Sequence, residues 1–266
     1  MPLVFTILGS GSSAGVPRVA QGWGACDPTN PKNRRRRCSL LVERIEGSKR
    51  TTVLVDTSPD LREQLLLAEV KKLDGVLYTH DHADHTHGVD DLRPLFINHR
   101  RRVDVYLDAS TSVVMRSRFG YCFASPEGGE YPPILEEHRI SANNPVTIEG
   151  EGGAVTALPF RQAHGSGGTL GFRFEGLAYS CDVSGVPEES LAALADLDVW
   201  ILDALRYTRH PSHFSLEESL AWIERIRPRR AVLTNLHTDL DYEALRRSLP
   251  DSVEPAYDGM KIAPDQ

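Results

Sequence analysis

At 266 residues the chain is long enough to bury a substantial core, as one large domain or two intimate halves. Its 40% hydrophobic and 25% charged residues are those of an ordinary soluble globular protein, and no apolar run approaches the roughly 18–20 residues that span a bilayer, so a membrane partner is not expected. A net charge of −7 argues against extended nucleic acid as a partner, since that is gripped by a basic surface, but leaves room for a small anionic substrate.

The opening residues, "MPLVFTILGSGSSAGVPR", carry no basic region ahead of their apolar stretch. They read as a strand (3–9) and a glycine-rich turn, not as a secretion signal. Gly9, Gly11 and Ala14 fit a loose dinucleotide spacing, but no helix opens after them and no acid ends a following strand. The turn is read as support for the loops of a site. Further strand-like runs are predicted at 38–44, 51–57, 75–80, 103–109, 154–160, 170–176, 177–183, 199–205 and 231–237. Helices are predicted at 58–73, 186–197, 215–228 and 242–250; the third carries a capping box, Ser215 with Glu218. The Gly-, Pro- and Glu-rich segment 119–153 reads as a long insertion or hairpin that would serve as a lid. Strand runs dominate both halves and helices punctuate them, which favours sheets packed on one another with helices outside, in a single domain over 1–266. Four cysteines (Cys26, Cys38, Cys122, Cys181) lack paired spacing, which argues against a disulfide framework and for a reducing, cytoplasmic compartment.

Residues 79–85, "THDHADH", follow the apolar run "VLY". Side chains alternate along a stretch leaving a strand, so His80 and His82 can point the same way and share one metal ion. Asp84 and His85 follow as the chain turns and offer donors for a second ion. Two ions roughly 3.5–4 Å apart clamp an attacking hydroxide and a leaving oxygen. Imidazole and carboxylate donors suit Zn, Mn and Fe. So short a motif cannot complete two coordination shells; His164, Asp182 and His237, each at the end of a strand-like run, are the candidate distal ligands.

With these residues the chain resembles the metallo-β-lactamase fold hydrolases. Their signature, His-x-His-x-Asp-His after a strand, stands here as His80-Asp81-His82-Ala83-Asp84-His85, and the later His, Asp and His match His164, Asp182 and His237 in order. "LGSGSSAGVP" (8–17) and "VDTSPDLREQ" (55–64) extend the resemblance over nearly the whole chain. It implies an α/β fold, a four-layer αββα sandwich of two similar halves. It also implies two divalent metal ions per chain, with Zn or Mn favoured over Fe. His80, His82 and His164 would hold metal one, and Asp84, His85 and His237 metal two, with Asp182 bridging; Asp84 counts among the catalytic residues as well.

Within the family, "LGSGSSAGVP", "NPKNRRRRCSLLVE" (30–43) and "HPSHFSLEESLAWIERIRP" (210–228) most resemble the branch that includes phosphoribosyl 1,2-cyclic phosphate phosphodiesterases. That branch implies a small phosphodiester substrate, cyclic or nucleotide-like, attacked by a metal-bridging hydroxide. It also implies a catalytic His before the Ser-Leu helix, matched by His213, with His210 the nearby competitor. A histidine near its ordinary pKa of about 6.5 is a fitting acid for an alkoxide leaving group. Arg34–Arg37 form either a solvated face or a phosphate contact. Asp56 either orients a ligand or starts the helix at 58. Cys26 and Cys38 are too few and too far apart for the structural zinc of some relatives, so none is expected. A thioester or lactone hydrolase on the same metals is the main alternative, and would need fewer cations around them. An endonuclease like the transfer-RNA 3′-processing enzymes fits less well, because 119–153 is short and acidic. A sensor without turnover is opposed by the intact ligand set. An iron redox enzyme is opposed by His82, which such sites commonly replace by Glu. Relatives commonly dimerise, so a homodimer is expected.

Overall fold

A computed structural model, whose described residues are 3–125 and 127–263, turns the apolar runs into two seven-stranded sheets. The first half of the chain supplies β1 (Leu3–Gly9), β2 (Ser39–Glu46), β3 (Lys49–Val55), β4 (Gly75–Leu77), β5 (Val103–Leu107) and β6 (Leu135–Arg139). The second half supplies β7 (Val146–Ile148), β8 (Val155–His164), β9 (Gly167–Phe174), β10 (Leu177–Ser180), β11 (Val199–Asp203), β12 (Arg230–Thr234) and β13 (Val253–Pro255). The last strand, β14 (Lys261–Ile262), returns to the first sheet beside β1.

The halves repeat one pattern. β1, β2 and β3 are antiparallel, and β3 to β6 run parallel. Likewise β8, β9 and β10 are antiparallel, and β10 to β13 run parallel. Alternating side chains give each sheet two apolar faces. Phe5, Ile7, Val42, Val53 and Val55 meet Phe172, Phe174, Tyr179 and Ile201 between the sheets.

The outward faces are covered by helices. Leu41, Leu54, Val76 and Val105 lie under α1 (Leu61–Leu67) and α4 (Ala109–Phe123). Ala178, Trp200, Leu202 and Leu233 lie under α5 (Leu216–Ile226) and α6 (Tyr242–Ser248). Two short helices come next: α2 (Ala83–Thr86) carries the second half of the motif, and α3 (Arg93–His99) follows it. The result is the expected four-layer αββα sandwich of two similar halves.

Several predicted elements change. The helix expected over 58–73 stops at Leu67, because Glu69 turns left-handed (φ 54) and Val70 N–H closes on Leu65 O at 3.0 Å. The helix expected over 186–197 is a 3₁₀ turn, Glu188–Leu194, and Arg173 donates to the Ala193 and Ala195 carbonyls at its end (3.1 and 2.8 Å). Helix α4 carries no prediction: "ASTSVVMRSRFGYCF" is rich in Ser and β-branched residues and lacks a clear apolar period. Asp108 caps it on Thr111 N–H (2.8 Å), and Met115, Cys122 and Phe123 anchor it to the sheet. Within the described residues, segment 119–153 is not a lid. It holds the end of α4 and the strands β6 and β7, one at the edge of each sheet, so it is the crossover between the halves.

Candidate metal centre

The parallel strands of both halves deliver their carboxyl-terminal loops to one place. His80, His82 and His85 follow β4, His164 ends β8, Asp182 follows β10, Asp203 ends β11 and His237 follows β12. Leu170 N–H donates to Thr79 O at 2.9 Å, so the two sheets are joined beside the motif.

The expected ligands, His237 apart, converge. Imidazole and carboxylate atoms of His80, His82, His164 and Asp182 lie within 4.8 Å of one another. Asp182 divides its oxygens. Its Oδ2 is 3.7 Å from His80 Nε2 and 3.6 Å from His164 Nε2, while its Oδ1 is 3.3 Å from His85 Nε2. Asp84 Oδ2 stands 3.4 Å from the same His85 nitrogen.

Each of three imidazoles is oriented through its other nitrogen. His80 Nδ1 meets Thr79 Oγ1 at 2.9 Å, His85 Nδ1 meets Asp56 Oδ2 at 2.7 Å, and His164 Nδ1 donates to Ser212 O at 2.6 Å. Such outer contacts fix which nitrogen faces inward. His80 Nε2 and His85 Nε2 are buried without a hydrogen-bond partner. Buried polar atoms are rarely left so, and two such nitrogens beside carboxylates fit a divalent cation. Asp56 thus takes the ligand-orienting role of its two expected ones: Thr79 N–H and Oγ1–H also donate to it (2.8 and 2.7 Å), and it makes no cap on α1.

The electrostatics agree. Burial, reinforced by His85, holds the His80 imidazole well below its ordinary pKa, which keeps it neutral; burial also lowers that of His164. Burial also opposes charge on Asp182, but His85, His80 and His213 outweigh it and hold the carboxyl well below the usual range. At His85 burial favours the neutral ring, yet Asp182, Asp84 and Asp56 prevail and raise its pKa. A cation entering here would neutralise that excess of carboxylate and displace the proton.

His213 is the next shell outward. Its Nδ1 is 2.8 Å from Asp203 Oδ2, its Nε2 is 3.9 Å from Asp182 Oδ2, and its ring lies 4.7 Å from that of His164. Burial pulls its pKa down, but the Asp203 hydrogen bond overcomes that and raises it. Burial pushes the Asp203 carboxyl up to about 7, so the pair holds a proton tightly. Asn235 Nδ2 reaches both Asp182 Oδ1 (3.2 Å) and His213 Nδ1 (3.1 Å). His210 is hydrogen-bonded at Ser212, and its ring lies 5.1 Å from that of His213. Asp203 and Asn235 escaped the sequence reading, although Asp203 ends a strand as Asp182 nearly does.

Two expected groups make other contacts. His237 does not join the cluster. Its Nε2 lies 2.5 Å from Arg18 Nη1 and its Nδ1 lies 2.9 Å from Asp239 Oδ1, so both ring nitrogens are taken. The donor beside His85 and Asp182 that sequence reasoning missed is Cys181, whose thiol donates to Asp182 Oδ1 at 3.3 Å; burial pushes that thiol well up and keeps it protonated. The arginine run is neither a solvated face nor a phosphate contact for three of its members. Arg35, 2% exposed, donates to Leu240 O (2.7 Å) and His237 O (3.2 Å). Arg36 pairs with Asp258 (3.2 Å) and Arg37 with Asp60 (3.0 Å); Arg34 alone is exposed. Gly9 supports this tether, since a Cβ there would lie 1.9 Å from Arg37 O. A groove of about 780 Å³ lies elsewhere, on the outer face of the first sheet. Within it Lys72 pairs with Asp74 (3.0 Å) and Arg50 with Glu43 (2.9 Å), and it holds none of the cluster.

With this geometry in place, similarity to known proteins is informative. Residues 51–235 match the model of the β-lactamase superfamily domain. A diphosphatase of the PhnP family with a crystal structure is similar over 99% of this chain and 97% of its own, with 35% identity and a TM-score of 0.88. Zinc-bound PqqB from Methylobacterium extorquens shares the fold at 18% identity and a TM-score of 0.71, over 97% of this chain and 99% of its own. An octanoyltransferase from Porphyromonas gingivalis is 32% identical over 265 residues; that is 98% of this chain but 51% of the relative, so the chain spans about half the length of the curated relative it matches.

Proposed function

The chain belongs to the β-lactamase superfamily and is a metal-dependent hydrolase, and on that premise we propose that it is a phosphodiesterase with two divalent ions per chain. Its substrate would be a small cyclic or nucleotide-like phosphodiester, including diphosphate linkages of the kind named for its 35%-identical relative. The observation that carries the reading is the division of Asp182, with one oxygen toward His80 and His164 and the other toward His85. His80, His82, His164 and Asp182 would hold one ion, and Asp84, His85 and Asp182 the other, with Zn or Mn favoured by the donor set. Bound divalent ions supply Lewis-acid polarisation of a phosphoryl oxygen and acidify water.

The protein's own groups do the rest. Thr79, Asp56 and the Ser212 carbonyl keep three imidazoles turned inward. Asp203 accepts from His213 Nδ1–H and favours the imidazolium, whose second proton, on Nε2, faces the cluster. That proton is placed to be given to the departing alkoxide oxygen, which is a poor leaving group without it.

The test uses protein stripped of metal and reloaded with Zn or Mn. It is assayed on bis-p-nitrophenyl phosphate, cyclic phosphodiesters, diphosphate diesters and a thioester panel. Hydrolysis of the phosphorus substrates, lost on chelation, is expected, and Asp182→Ala should lose both ions and activity. His213→Ala should keep its ions and lose about 10²–10⁴-fold in kcat on alkyl leaving groups. It should lose far less with p-nitrophenolate, which needs no proton. Thioester turnover without phosphodiester turnover would overturn the reading.

A further inference from the structure

We propose that Arg18 is the cation that grips the substrate's phosphoryl oxygens beside the histidine cluster; this rests on the phosphodiester reading above. An anionic diester calls for fixed positive charge beyond the ions, and three of the four arginines at 34–37 are committed elsewhere. Arg35 is spent on the Leu240 and His237 carbonyls and on Asn33, and Arg36 and Arg37 are in ion pairs. Arg18 differs. Among the described residues it makes no ion pair with a carboxylate, and its Nη1 rests 2.5 Å from His237 Nε2.

The chemistry of that contact is restrictive. A guanidinium only donates, so His237 Nε2 is the acceptor and Nδ1–H faces Asp239. The ring has one lone pair at Nε2. One Arg18 N–H fills that lone pair, which leaves the other donors of the guanidinium for a ligand. Phosphoryl oxygens suit this arrangement because a guanidinium fork can donate to two of them.

The loop presents Arg18 from a fixed frame. Arg18 and Gly22 exchange backbone hydrogen bonds in both directions at 2.8 Å. Ala25 N–H donates to Thr238 O at 2.9 Å, and a Cβ on left-handed Gly24 would lie 2.6 Å from that same oxygen. The loop is therefore fastened to the segment that carries His237, two residues beyond Asn235, whose amide reaches Asp182 of the cluster, and half-buried Arg18 is held on that segment.

The test uses the metal-loaded protein with inorganic pyrophosphate as probe, by calorimetry and as an inhibitor, beside steady-state kinetics on the diesters. Arg18→Ala is expected to weaken pyrophosphate binding and raise KM by about tenfold or more, the worth of a charge-assisted hydrogen-bonded contact. Its ion content should be unchanged. Arg18→Lys should fall between, and Arg34→Ala, at an exposed arginine outside the site, should match the wild type. Pyrophosphate binding within twofold of wild type in Arg18→Ala would overturn the inference, and normal diester turnover would leave the phosphodiester reading standing. Arg18-dependent pyrophosphate binding without any diester hydrolysis would uphold the anion site and sink the phosphodiester reading instead.

Discussion

Asp56 shows how one buried residue governs the centre. Its backbone is left-handed (φ 64), and its carboxylate collects Thr79 N–H, Thr79 Oγ1–H and His85 Nδ1. Asn tolerates that backbone, but its amide offers one acceptor oxygen where the carboxylate offers two. Asp56→Asn should therefore fold and lose about 10–100-fold in ion affinity, read by competition with a chelating dye, with activity restored at high metal. Normal affinity would mean that His85 is oriented by other contacts. The sequence placed Asp56 at a strand end but left its role open, because Thr79 and His85 reach it only once β3 and β4 pair.

Helix α5 is the element that local sequence describes best. Ser215 Oγ accepts from Glu218 N–H at 3.3 Å, and Glu218 Oε2 accepts from Ser215 N–H at 2.9 Å, as the capping box predicts. Ser215→Ala should cost about 1 kcal/mol and lower Tm by roughly 2–4 °C in a thermal melt, with ion content unchanged. A melt identical to wild type would show that burial of Leu216 and Ile223 holds the helix start without its cap. Helix α4 is the opposite case. Only the outer face of the first sheet makes its Ser-rich sequence helical. Segment 119–153 reads from composition as an insertion or hairpin, yet its edge strands find partners in two different sheets.

At the scale of the molecule, Asp258 closes the chain on itself. Its carboxylate accepts from Ser10 N–H (2.9 Å), Ser10 Oγ–H (2.8 Å), Arg36 N–H (2.7 Å) and the Arg36 guanidinium (3.2 Å). Burial nonetheless pushes its carboxyl up to about 6, above the ordinary carboxylate value. A raised carboxyl contributes stability that is fully present below the unfolded pKa near 4 and is lost as pH rises through about 6. Asp258→Asn cannot ionise. Between pH 4 and 7 the wild type should lose roughly 3 kcal/mol relative to that variant, read from urea midpoints. Parallel pH curves for the two proteins would show that Asp258 ionises normally.

The sequence alone determined the histidine–aspartate motif, the strand runs and the capping box of α5. Those signals are short-range: residues two to six apart, or a period of two or 3.6. Only the tertiary structure decided which side chains meet across the two sheets. It placed Asp203 behind His213 and Asn235 on Asp182, put Arg18 on His237 from 219 residues away, and tied the arginine run to carbonyls and carboxylates distant in the chain. Local spacing carries no record of such pairs, because they form only when both halves bring their strand ends to one edge of the sandwich.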